Sequence, residues 1–285
     1  MGVQLVVRDG SPWWMSPDIW VVPGSDPTGP PGQPVVGQRA FVWTRVQNVG
    51  STRVTDASVR CWWADPSTMI TRASAHRIGT SAVALEPEET KEVLCLSPWT
   101  PTSANGGHQC LIAEAFSPAD PLPPHLASTP FDPPGDRHVA QRNVTVQLVA
   151  PITMMAFLPF MAGGAGGAVQ VLVRRMFLEE LDRVILAQLG ARELREADAE
   201  VRVSAGPFWP GEPVEPFDRE GLKLRRGEPR TLALVAELGE GLADGTAVLV
   251  AAEQVDERER ITGGVGLLVV GSEAREREQQ EARDG

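Results

Sequence analysis

Hydrophobic and polar positions alternate over short stretches through the first half of the chain. In ASVRCWWADP, Val59, Cys61 and Trp63 fall on one side and Ser58, Arg60 and Trp62 on the other. That two-residue period is the mark of a strand with one buried face. DIWVVP (18–23) and RAFVWTRVQNVG (39–50) are rich in Val, Thr and aromatics, and the loop-forming GSDPTGPPGQP separates them. RIGTSAVAL, TKEVLCLSPW, HQCLIAEAF and HVAQRNVTVQLV continue the series. Short strands at this spacing, joined by Pro- and Gly-rich turns, predict an antiparallel sandwich.

The second half opens on an uncharged run, NVTVQLVAPITMMAFLPFMAGGAGGAVQVLV, that ends at Arg174 and Arg175. Its length suits a membrane span, and Gly163 and Gly167 make a Gly-x-x-x-Gly. Pro151, Pro159, Gln147, Gln170 and the clustered glycines divide it instead into two β-like pieces, ITMMAFLPF and AVQVLV, read as a buried hairpin. One helix is predicted over about residues 175–196, where Leu178, Leu181, Ile185 and Leu189 recur at helical steps. AEVRVSAG, GLKLRRGEPRTLALVAEL, GTAVLVAAEQV and TGGVGLLVVG return to strand. Residues 272–285 are a charged tail with no apolar stripe.

The expected fold class is therefore all-β: two immunoglobulin-like antiparallel β-sandwich domains in tandem, the second with one inserted α-helix. Residues 1–150 form the first domain and 151–271 the second. Composition supports a break near residue 150. Residues 1–150 carry 10 basic and 13 acidic side chains against 16 and 24 in the remainder, and seven of the eight Trp precede residue 100. A net charge of −11 argues against a nucleic-acid partner, which needs clustered Lys and Arg. Three cysteines, Cys61, Cys95 and Cys110, are too few for a disulfide framework. They are expected to be free thiols, although Cys61 and Cys110 fall on strands expected to be neighbours. With no basic leader before the first strands, a cytoplasmic setting is expected.

Five blocks in order, WMSPDIWV (14–21), VWTRVQNVGS (42–51), VRCWWADPST (59–68), HQCLIAEAFSPADP (108–121) and HVAQRNVTV (138–146), resemble the CARDB modules of large bacterial multidomain proteins. These are immunoglobulin-like sandwiches often set beside peptidase domains. The resemblance covers about residues 14–149. It implies a supporting or binding role rather than catalysis, with another protein of the same bacterial system as partner. That partner could be a separately encoded peptidase-like protein.

His76, His108, His125 and His138 stand apart, with no His-Glu-x-x-His, no Gly-x-Ser-x-Gly and no phosphate loop. No enzyme, metal or cofactor is expected. The strongest contact candidate is the proline-rich arm at residues 118–137, because proline lowers the entropy lost when a loop is ordered on a partner. The expected partner-binding residues are Pro118, Asp120, Leu122, His125, Leu126, Phe131 and Asp136 in the arm, with Trp62 beside them. Packing of the arm on a sheet edge or on the second domain is the competing reading. A carbohydrate-binding module using Trp62, a membrane-attached accessory protein using residues 144–173, and self-association stay open.

Overall fold

A computed structural model describes residues 2–65, 69–102, 109–149, 155–162, 170–189, 193–207, 230–238 and 242–271. The chain divides into two compact units, Met1–Asn143 with Leu181–Gly190, and Val144–Glu180 with Ala191–Gly285.

In the first unit the strands are β1 (Leu5–Val6), β2 (Ile19–Pro23), β3 (Ala40–Asn48), β4 (Val54–Ala64), β5 (His76–Leu85), β6 (Thr90–Leu94), β7 (Cys110–Phe116) and β8 (Val139–Arg142). One sheet is built around β3, which pairs with β1, β2 and β6; the other runs β5-β4-β7-β8. All of these pairings are antiparallel. Val21, Val42, Val46 and Val93 from the first sheet meet Val59, Leu111, Ala113 and Leu85 from the second in one buried cluster. Each such aliphatic side chain contributes about 1.5–3 kcal/mol on full burial. The alternation read along ASVRCWWADP holds, because Val59, Cys61 and Trp63 pack on this core.

Polar residues within two of the five blocks fix the turns. Asn48, fully buried, accepts from Gln4 and Gly50 N–H at 3.3 and 3.1 Å. Its amide donates to the carbonyls of Thr52 and Glu86 at 2.9 and 3.2 Å. Gly50 is required here, since a Cβ would stand 2.2 Å from the Gly2 carbonyl oxygen. Asp18, nearly buried, takes a forked pair of bonds from Arg8 (2.9 and 2.6 Å) and a longer contact from Arg45 at 3.4 Å.

The second unit contains β9 (Val144–Val149), β10 (Met155–Ala162), β11 (Gln170–Met176), β12 (Arg195–Glu196), β13 (Val201–Pro207), β14 (Arg230–Leu238), β15 (Thr246–Val255) and β16 (Ile261–Gly271). One sheet runs β10-β14-β13 and the other β11-β15-β16-β9, with β12 beside β15. Leu232, Leu234 and Ala236 face Val248, Val250, Val265, Leu267 and Val269 across the core. β9 with β16 and β12 with β15 are parallel pairs, so this sandwich departs from a purely antiparallel plan.

Three expectations need correction. HVAQRNVTVQLV is not one strand. It breaks at Asn143 into β8, paired to β7, and β9, paired to β16 in the other unit. ITMMAFLPF and AVQVLV do not form a hairpin, because β10 pairs with β14 and β11 with β15, in different sheets; Ile152 and the glycine run lie outside the described residues. The predicted helix over 175–196 shrinks to α1 (Arg183–Gln188), which groups with the first unit. Strand pairing claims its start: Arg174, Arg175 and Met176 lie opposite Ala251, Val250 and Leu249, and the two arginines bind Glu253 and Glu196. A 3-10 turn follows (Leu178–Glu180), and the Asp182 carboxylate caps Val184 N–H at 2.8 Å, so α-helix begins only there. Its end is taken by β12. The apolar stripe is real nonetheless, with Leu178, Leu181, Ile185 and Leu189 all buried. Residues 272–285, read as a tail, lie outside the described residues.

Candidate functional site

The side of β4 and β7 turned away from the first core carries the site. Strand alternation sends Arg60, Trp62 and Ala64 there from β4, and Cys110, Ile112, Glu114 and Phe116 from β7, in register Arg60↔Glu114, Trp62↔Ile112 and Ala64↔Cys110. Glu114 is wholly buried. Its carboxylate receives Arg72 at 2.6 Å, the Trp62 indole N–H at 2.9 Å and Arg60 at 3.4 Å. The guanidinium of Arg72 in turn lies 4.5 Å from the centre of the Phe131 ring.

Phe131 belongs to the proline-rich arm. It sits with Ala64, Ile70, Cys110, Ile112 and Val139 in a second apolar cluster, its ring edge-on to Trp62 at 5.9 Å. Backbone bonds tie the same part of the arm to the segment after β4, from Phe131 N–H to Ile70 O (2.9 Å) and from Ala73 N–H to Ala127 O (2.8 Å). The arm thus covers the outer face of this sheet with its second half.

Both ends of the arm are pinned. Ser117 and Asp120 exchange backbone bonds at 3.0 and 3.1 Å. The nearly buried Asp120 carboxylate accepts from Leu5 N–H at 2.6 Å and pairs with Arg137. At the other end Asp136 receives the His138 backbone N–H at 3.1 Å and contacts His138 Nδ1 at 2.6 Å. Burial opposes charge on Asp136, yet these bonds and the nearby Arg137 hold its carboxyl below the usual range. His138 Nε2 stands 3.2 Å from Asp120, outside hydrogen-bonding geometry.

Between the pins, residues 121–128 face solvent, with only Leu122 half-buried. Leu126 is 73% exposed. A turn holds it outward, in which Leu126 N–H donates to Thr129 Oγ1 (2.9 Å) and Thr129 N–H to Leu126 O (3.0 Å). His125 Nδ1 rests 3.0 Å from Pro123 O.

The eight expected contact residues therefore separate. Pro118, Leu122, His125 and Leu126 lie on the outer part of the arm. Asp120, Phe131, Asp136 and Trp62 are engaged within the fold, and Trp62 spends its N–H on Glu114. Sequence reading missed Glu114, Arg72, Arg137 and His138 as partners of these residues. A signal existed for Glu114: a lone acid within the otherwise apolar CLIAEAF must find a cation when its strand is buried. Arg72 and Arg137 gave none, since contacts across 42 and 17 residues leave no trace in local pattern. Among the described residues no group of three or more His, Cys, Asp or Glu side chains is placed to hold a metal ion. No helix among them is long and apolar enough to cross a membrane.

No protein-family model matches the sequence, and no curated protein does. Among solved structures, the chain is similar to the CARDB domain of a Pyrococcus furiosus protein, crystallised in complex with di-metal ions. The identity is 16% over 50% of this chain and 90% of that one, with a TM-score of 0.29. It is also similar to the CupB6 tip adhesin of Pseudomonas aeruginosa (11% identity, 95% and 99% covered, TM-score 0.27). A bacterial adhesin from Mobiluncus mulieris follows at 6% identity, 89% and 99% covered, TM-score 0.23. At such overlaps the fold rests on the strand pairing itself, which makes this an all-β chain of two β-sandwiches.

Proposed function

We propose that the protein is a non-enzymatic binding module that holds another protein of the same bacterial system through the outer part of its proline-rich arm. One observation carries the reading: an exposed leucine, Leu126, is held out from a segment whose two ends are locked by ionic and backbone bonds. A short apolar projection on a rigid base loses little freedom on binding, and the flanking Pro121, Pro123 and Pro124 restrict it further. The buried charges nearby serve the fold. Glu114, Asp120 and Asp136 each engage a cation or a histidine within the fold.

The test is capture from extracts of the native host with wild-type protein and with Leu126→Asp. The expected result is a protein retained by the wild type and lost from the variant, with the melting midpoint unchanged. A captured protein that both forms retain equally would move the contact elsewhere.

A further inference from the structure

Cys61 and Cys95 come together inside the first sandwich. On β4, Cys61 lies opposite Gly79 of β5, so their side-chain directions point to the same, core-facing side. Gly79 has no side chain, and the Cys95 sulfur and the Ser97 side chain share the space beside it. A Cβ built on Gly79 would stand 2.9 Å from Cys95 Sγ. Cys95 follows β6 and is held to the other sheet by its N–H bond to Val42 O at 2.9 Å. Cys61 Sγ reaches toward that sheet too, lying 3.6 Å from Thr44 Oγ1 of β3. Both thiols are free and buried in the same cluster. Cys110 is elsewhere: it lies on the outward side of β7 opposite Ala64, in the cluster of Phe131.

We propose that Cys61 and Cys95 form a dithiol site that a hydroperoxide converts to a disulfide, joining the two sheets of the first sandwich across their core. The Cys95 thiolate attacks the peroxide oxygen, the O–O bond breaks, and an alcohol or water leaves, giving a sulfenic acid. The Cys61 sulfur then attacks Cys95 sulfur; the S–O bond breaks and hydroxide leaves with the Cys61 proton as water. Two thiols lose two electrons and one hydroperoxide gains them. The roles follow from the environment. Hydrogen bonding from Cys61, the Ser97 N–H and the charge of Arg77 favour the Cys95 thiolate against its burial. The same Cys95 contact, together with burial, pushes the Cys61 thiol up. A small oxidant suits a pair this well covered.

The experiment uses the full chain with hydrogen peroxide in small excess, followed by thiol titration in denaturant. The count is expected to fall from three to one, and a thiol reductant restores it. The enclosed loop runs from residue 61 to residue 95, so the oxidised melting midpoint should rise by about 5 °C or more. Cys110→Ser should lose both of its remaining thiols in the same way. Peptide mapping after trypsin and chymotrypsin, which cuts after Trp99 between Cys95 and Cys110, places the bond in the unsubstituted protein. A count that stays at three, a loss that reductant does not reverse, or a cross-link to Cys110 would each overturn the proposal.

Discussion

Glu114 has no exposed side-chain surface, and its charge is balanced by Arg72 and Arg60 with the Trp62 indole as third donor. Removing the carboxylate strands Arg72, itself only 9% exposed, in an apolar surrounding. Glu114→Ala should therefore destabilise the first unit by about 3–5 kcal/mol, measured by denaturant unfolding, and the arm should loosen with it. A cost under about 1 kcal/mol would mean that water reaches the pair. Asp9 shows the opposite situation. One of its oxygens is buried with no hydrogen-bond partner among the described residues. Burial, and secondarily the charge of Asp132, push its carboxyl up to about 7. Since the folded protein keeps that proton and the unfolded chain releases it, this group's stabilising effect is complete below about pH 4 and is lost as pH rises through 7. Asp9→Asn should therefore leave stability unchanged near pH 4 and raise it at pH 7.5. The gain is about 1–2 kcal/mol after allowance for partial solvent screening. Equal effects at both pH values would contradict the assignment.

At the scale of elements, β3 and β4 were legible because each combines β-branched residues with a buried face of period two. Asn48, Gly50 and Asp18 also lie in blocks that the sequence marks, and each has a local task. The arm was legible only as an irregular, proline-rich segment. Which of its residues turn inward depends on Ile70, Arg72 and Cys110, far away in sequence, so pattern could not separate Phe131 from Leu126. The hairpin expected after Pro151 failed for a related reason. Each of its strands finds its partner about 70–85 residues downstream, at β14 and β15, and local alternation carries no information on partners. The arm itself should respond in two ways. Phe131→Ala should cost about 3 kcal/mol by emptying the space over Ile112 and Trp62. Replacing residues 121–128 by a Gly/Ser linker of equal length should cost about 1 kcal/mol or less, since both pins remain. Thermal or chemical melts distinguish the two, and equal losses would show that the arm is one packed body.

For the molecule as a whole, the chain leaves the first unit after Asn143, and residues 181–190 return to it. That return has a visible purpose. Arg142 is buried with no carboxylate paired to it among the described residues, and burial brings its guanidinium down to about 10. It donates to Ile19 O at 2.6 Å and to the Gln188 side chain of α1, which also donates to Pro17 O at 3.0 Å. A fragment of residues 1–143 should therefore be less stable by about 2 kcal/mol or more than the same fragment joined by a linker to 181–190. Identical unfolding curves would remove α1 from the first unit's stability. Recognition by the outer arm is open to one paired measurement. Wild-type protein and the 121–128 linker variant are compared for quantitative capture from the native host and for unfolding free energy in the same preparations. The expected result is loss of a specific partner with folding stability preserved to about 1 kcal/mol. Full capture by the variant would contradict it, as would loss of capture accompanied by unfolding.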